Sequence, residues 1–240
     1  MRRTALVLML SLGVCTAQPI EFVVSASPGG PNDTVTRKVM EQLERRTSLQ
    51  FVIVNKPGAA HTIAYNYLAS SNKPSVIMET PEIETNAVFP LMDELYNAGH
   101  FVNTLFVSEK SGIKNMHQLM AIAKNRSIVF GHGGVGSYSY MAMETVCKGI
   151  QCLDVPYKSG AEGMMAILTG TIDVYALASY GSKQYRENER YVAIHDVRLS
   201  KSKSWYKLFG RNLSDSDKAA IIQAMRSIDT KFYTELGLER

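Results

Sequence analysis

The chain has 240 residues, 45% hydrophobic and 20% charged, enough to bury a proper core in one large domain or two small ones. It shows no low-complexity tract and no repeat at solenoid or propeller periods, which excludes those architectures. Its 26 basic and 22 acidic residues are scattered without a basic block, which argues against a nucleic-acid partner.

The first residues read as a leader. "MRR" is a basic n-region, "TALVLMLSLGV" an apolar h-region, and "CTA" places small residues before Gln18. This pattern predicts a secretory signal peptide, residues 1–17, cut after Ala17. A membrane anchor would need about 20 apolar residues, and this run is shorter. Lipidation at Cys15 is the variant reading, and Val14 is a poor residue to precede it. Without Arg2 and Arg3 the net charge falls from +4 to +2.

Beyond the leader, β-type runs alternate with helical patterns. "EFVVSA" reads as a strand and "SPGGPN" as a loop, with Asp33 placed to cap a helix facing inward through Val35, Val39, Met40 and Leu43. "FVIVN" is the second strand, "HTIAYNYLAS" a helix and "PSVIME" the third strand. After "NTLFVSEK" comes a helix around "MHQLMAIAK", the strand "SIVF", a glycine loop and another helix. "LDVPY" is a strand, "AEGMMAIL" a helix closed by Gly170, and "TIDVYALA" a strand. "YVAIHDV" and "WYKLF" read as returning strands. Ser214 with Asp217 predicts a capping box for one closing helix running through "FYTEL".

This alternation predicts α/β layers with largely parallel sheets, and its two rounds predict two lobes. Residues 18–106, completed by 196–240, would form the first lobe and 107–195 the second. Cys147 and Cys152 sit where a helix hands over to a strand. In an oxidising compartment they either pair as a local staple or remain two half-buried thiols. The five histidines show no H-x-x-H or C-x-x-C companions, so no metal site is expected.

"SIVFGHGGVGSYSYMAMETVC" poses the functional question. Gly131, Gly133 and Gly136 match the dinucleotide spacing G-x-G-x-x-G, and Asp154 lies about 20 residues on. Yet the stretch is one of four similar loops, with "SPGGPND", "NKPGAAHT" and "PYKSGAE", each following a strand and opening a helix. Glycines let backbone approach a ligand, and helix N-termini present N–H groups and a positive dipole end. Such loops at the C-terminal ends of strands face one cleft. No nucleophile elbow, P-loop lysine or carboxylate pair accompanies them, and His132 lacks a partner serine motif, so no enzyme and no cofactor is expected.

Four segments in order resemble the Bug-type receptors of tripartite tricarboxylate transporters. They are "FVVSASPGGPNDTVTRKVMEQLERR", "FVIVNKPGAAHTIA", "FGHGGVGSYSYMAMETV" and "DVPYKSGAEGMMAILTGTIDV", covering about Ile20 to Val174. The resemblance implies a type II periplasmic-binding fold, two α/β lobes closing on a small carboxylate. It implies a periplasmic monomer that delivers its ligand to membrane permease subunits. One jaw would comprise Ser27, Gly29, Gly30, Asn32 and Asp33, with Ala59 and Ala60 beside it. Gly134, Val135, Gly136, Ser137, Tyr157 and Lys158 would form the other.

Tyr138 and Tyr157 either stack on a ligand or pack the cleft wall, and Arg37 is read as a structural ion pair before a carboxylate clamp. The chain departs from the family at Pro31, Asn32, His61, Tyr140 and Leu177, where it usually shows other residues, glycine at His61 among them. Two other readings compete: a sensory binding protein that signals to a membrane kinase, and a secreted enzyme using the same cleft.

Overall fold

The structure, a computed structural model, describes residues 18–59, 61–80, 89–180, 182–200 and 204–239. The leader expected at 1–17 lies outside the described residues. So does Ala60.

Two five-stranded sheets organise the chain. The first has the order β2-β1-β3-β10-β4, built from β1 (Ile20–Val24), β2 (Phe51–Asn55), β3 (Ser75–Glu79), β4 (Asp93–Phe101) and β10 (Ser204–Arg211). The second has the order β7-β6-β8-β5-β9, from β5 (Asn103–Ser108), β6 (Ile128–His132), β7 (Cys152–Pro156), β8 (Val174–Ala178) and β9 (Tyr191–Ile194). β1 pairs parallel with β2 and β3, and β6 pairs parallel with β7 and β8. Only β10 in the first sheet and β5 in the second run against their neighbours.

Helices cover both faces of each sheet, so the central strands read as apolar runs rather than alternating ones. β1, β3 and β8 are buried at every position. On one face of the first sheet, Val35, Val39 and Leu43 of α1 (Pro31–Glu44) pack with Ile221 and Met225 of α8 (Asp215–Ser227) and Tyr233 of α9 (Thr230–Glu235). On the other, Ala64, Tyr65 and Leu68 of α2 (Thr62–Ser70) meet Val23, Ile77 and Phe209. The second sheet carries α3 (Met116–Ala123), α4 (Tyr138–Val146) and the short α7 (Val197–Ser200) on one face. On its other face α5 (Gly160–Thr169) packs, with the short α6 (Lys183–Arg186) beside β9.

The chain passes between the sheets at Val102, since β4 ends at Phe101 and β5 begins at Asn103. Asn103–Ser108 therefore belongs with the second sheet, four residues earlier than the boundary read from sequence. Leu199 of α7 packs in the second core as well. Aromatic rings gather where the halves meet. Phe101 lies edge-on to Tyr180 at 4.8 Å and to Tyr138 at 5.7 Å, and Tyr180 stacks on Tyr206 at 4.3 Å.

Three local expectations differ. α1 begins at Pro31 behind Gly30, which offers no side-chain cap, and Asp33 lies inside the first turn. Proline suits that first position because its missing N–H and fixed φ cost nothing there. The closing helix breaks at Ile228, whose backbone is extended, because its side chain is buried and Asp229 caps α9 by accepting the Lys231 N–H. β4 was not foreseen. Its Asp, Glu, Asn and Gly mask the strand pattern, and two register shifts against β10 interrupt its alternation. Cys147 and Cys152 form a disulfide between the end of α4 and the start of β7.

Candidate functional site

The loops that follow β1, β6 and β7 converge on one small cavity of about 30 Å³, room for about two waters. Ser25, Ala26, Pro31, Asn32 and His61 line it from the first half of the molecule. Ser137, Ser139, Lys158, Ser159 and Tyr175 do so from the second, with Gly133, Tyr138 and Gly160 between them.

On the first side the central group is Glu79, the last residue of β3 and fully buried. Its Oε1 accepts from the Ser25 hydroxyl, from Asn32 Nδ2 at 3.3 Å, and contacts His61 Nδ1 at 3.0 Å. Asn32 also donates to Ser25 Oγ at 3.0 Å and accepts from the Tyr206 hydroxyl. His61 has a φ of 72°, a left-handed backbone that favours glycine and costs other residues about 1–2 kcal/mol. That conformation accounts for glycine being usual there in the resembling family.

Asp33, 2% exposed, is not part of the cavity wall. It accepts from the Gly29 N–H at 2.9 Å, from Asn55 Nδ2 at 2.8 Å and from Arg37 Nε at 2.8 Å. Burial works to raise its pKa, but these bonds and the Arg37 charge outweigh burial and hold it below the ordinary carboxylate value. Arg37 is thus held in an ion pair within α1.

On the second side neutral groups hold the glycine loop. His132, 1% exposed, accepts the Gly134 N–H at Nδ1 (2.9 Å) and so carries its proton on Nε2, which meets Asp154 Oδ2 at 3.3 Å. The Gly133 N–H donates to Ser139 Oγ at 2.9 Å, and the Ser137 and Ser139 hydroxyls bond at 3.0 Å. Ser137 caps α4 by accepting the Tyr140 N–H. Ser159 caps α5 by accepting that of Glu162. Burial pushes the Tyr175 phenol well above its ordinary pKa, so it stays neutral. A Cβ placed on Gly160 would come within 3.4 Å of Pro31 Cδ, so the N-termini of α5 and α1 meet across the cavity.

Of the residues singled out from sequence, Asn32, Ser137, Tyr138 and Lys158 line the cavity. Ser27, Gly29, Gly30, Asp33, Ala59, Gly134, Val135, Gly136 and Tyr157 stand outside its walls. The reasons are local. Gly134 spends its N–H on His132, Val135 is 72% exposed, and Gly136 serves the turn through a φ of 86°. The dinucleotide spacing also dissolves, because Gly131 is a β6 residue packed against Ile172 and Tyr175 rather than part of a turn. Ser25, His61, Ser139, Ser159 and Tyr175 were missed. Ser139 and Ser159 lie inside the glycine loops singled out, and His61 is marked by its departure from glycine, whereas nothing local points to Ser25 or Tyr175.

Residues 35–195 match the model of the tripartite tricarboxylate transporter family receptor. A UPF0065 protein of Bordetella pertussis is 21% identical over 185 residues, 70% of this chain and 56% of that protein, so the chain matches about half the length of this relative. The periplasmic binding protein BugD superposes with a TM-score of 0.77 at 20% identity, over 92% of this chain and 87% of its own. An R. palustris protein solved with adipate gives 0.81 at 18%, over 92% and 88%. These structures establish the two-lobed periplasmic-binding fold. With two thirds of its length matched by the family model, the chain belongs to the tripartite tricarboxylate transporter receptor family, the Bug-type receptors.

Proposed function

We propose that the protein is a periplasmic solute-binding receptor that captures a small organic carboxylate and presents it to the membrane permease subunits of a tripartite tricarboxylate transporter. The observation that carries this reading is the meeting of strand ends and helix N-termini from both halves around one cavity. On its second side Lys158 and the hydroxyls of Ser137, Ser139 and Ser159 lie at the starts of α4 and α5. Hydroxyl and ammonium donors at positive dipole ends suit a carboxylate. The adipate bound by a protein of the same fold supports the ligand class.

No reaction suggests itself at the cavity. His132 is engaged with Gly134 and Asp154, Ser137 and Ser159 serve as caps, Ser139 accepts the Gly133 N–H, and Ser25 donates to Glu79. A dicarboxylate exceeds about 30 Å³, so capture would require the two halves to part about the crossing at Val102.

The test is a thermal-shift screen of the exported, mature protein against C4 to C6 dicarboxylates, tricarboxylates, aromatic acids and amino acids. Ligand at 100 Kd should stabilise the protein by about 2.7 kcal/mol, a shift of about 5–10 °C. At least one carboxylate should produce it, and NAD and FAD should not. A flat carboxylate screen with an NAD response would overturn the reading.

A further inference from the structure

We infer that Glu79 anchors a cationic group of the ligand, so that the cavity takes an amino carboxylate in preference to a plain dicarboxylate. This rests on the solute-receptor reading and names the ligand class within it.

Glu79 is fully buried, and the three side chains bonded to its Oε1 (Ser25, Asn32 and His61) all line the cavity. Its Oε2 is buried as well and has no hydrogen-bond partner among the described residues. No lysine or arginine pairs with it among them. His61 Nδ1 meets Oε1, and Lys207, opposite Glu79 across β3 and β10, donates to Glu94. Arg37, on the adjacent helix, is committed to Asp33.

A carboxylate serving only as a structural pillar would have both oxygens satisfied, because a buried unpaired acceptor is costly. A ligand ammonium bonded to Oε2 would satisfy it, and Ser25 and His61, both bonded to the same carboxylate, line the cavity from which it would come.

The opposite wall has the opposite character. Lys158 and the capped starts of α4 and α5 suit the ligand's carboxylate. The cavity is therefore bipolar. A dicarboxylate spanning it would set one of its charges against Glu79 in a site shielded from water, where like charges repel strongly.

The experiment is titration calorimetry of the mature protein with chain-matched pairs, an amino carboxylate against its dicarboxylate: β-alanine with succinate, γ-aminobutyrate with glutarate, and α-amino acids with their deaminated acids. At least one amino carboxylate should bind about tenfold or more tightly than its match. Glu79→Gln should lower that affinity at least as much while leaving or improving the dicarboxylate's. Tighter binding of the dicarboxylates would overturn the inference while leaving the receptor reading intact. So would a Glu79→Gln effect equal for both members of a pair. Binding of neither class would overturn both. If Glu79→Gln does not fold, the affinity ratio of the unaltered protein decides alone.

Discussion

At the start of α1 the loop N–H of Gly29 goes to a carboxylate, Asp33 Oδ2, at 2.9 Å; before α4 the N–H of Gly133 goes to a hydroxyl, Ser139 Oγ, also at 2.9 Å. Both sides of the cavity use a strand, a glycine loop and a helix. They differ in what satisfies the loop. A carboxylate inside the first turn of α1 answers that helix's own positive end. At α4 a hydroxyl closes the cap and no acid lies in the first turn, so that helix end keeps its attraction for an external anion, whereas α5 carries Glu162 in its first turn. The first side adds a second buried carboxylate at Glu79, and the second adds Lys158. One local motif thus yields two kinds of helix start, at α1 and at α4, according to whether Asp or Ser accepts the loop N–H.

The largest effect should come from breaking the donor-rich wall from behind. Gly163 of α5 lies against the ring of Tyr175, and an added Cβ would stand 2.1 Å from Cε2 and 2.3 Å from Cδ2. The ring is buried between α5 and the sheet and cannot swing out without opening that core. Gly163→Val should cost about 3 kcal/mol or more by overpacking. Thermal denaturation should show a fall of about 6–12 °C. An unchanged Tm would mean that α5 is not seated on Tyr175 as described.

The next effect concerns Asp33 and carries a sign in pH. Its folded pKa is lowered, so its contribution is present above the unfolded value of about 3.9 and disappears as pH falls through the folded value. Asp33→Asn should destabilise the protein by about 2 kcal/mol at pH 7, because Arg37 and the Gly29 N–H lose a charged acceptor. In urea titrations the gap between the two proteins should narrow as pH drops below about 4. Glu21, Asp173 and Asp196 also have lowered values, so acid still destabilises the variant, but less steeply. A gap that is constant with pH would show that the Asp33 charge is not what holds the loop.

Much of this architecture is legible in the residues. "FVIVN" marks β2 to its ends, because the strand is a run of apolar and β-branched residues bounded by a polar tract and Lys-Pro-Gly. Gly170 closes α5 because a left-handed position follows its last turn. The site is legible only where a local motif carries it, as at Asn32, Ser137 and Lys158. Glu79 reads as no more than the end of an apolar strand. Its role arises because β3 lies beside β1 and brings it to Ser25, 54 residues away in sequence. Likewise Tyr175 faces the cavity because β8 pairs with β6, and no local spacing encodes that. Strand pairing creates such sites, so spacing along the chain misses them.

The smallest effect sharpens the contrast most, by giving the donor-rich wall the chemistry of the other. Ser159 Oγ accepts the Glu162 N–H at 3.4 Å, and Glu162 Oε2 in turn accepts the Lys158 N–H at 3.2 Å. Ser159→Ala removes the cap and should cost about 1 kcal/mol, a fall of about 2–4 °C. Ser159→Asp retains a cap of similar quality and should keep stability within a few tenths of a kcal/mol of the unaltered protein. It adds a second carboxylate to the start of α5, where Glu162 already lies in the first turn, and so weakens further the dipole end that faces the cavity. The two variants should therefore order oppositely in two measurements: Ser159→Asp the more stable without ligand, Ser159→Ala the more strongly shifted by a carboxylate. If Ser159→Asp binds carboxylates as well as Ser159→Ala does, the neutral cap is not what makes this wall attractive to an anion, and Lys158 must carry that role alone.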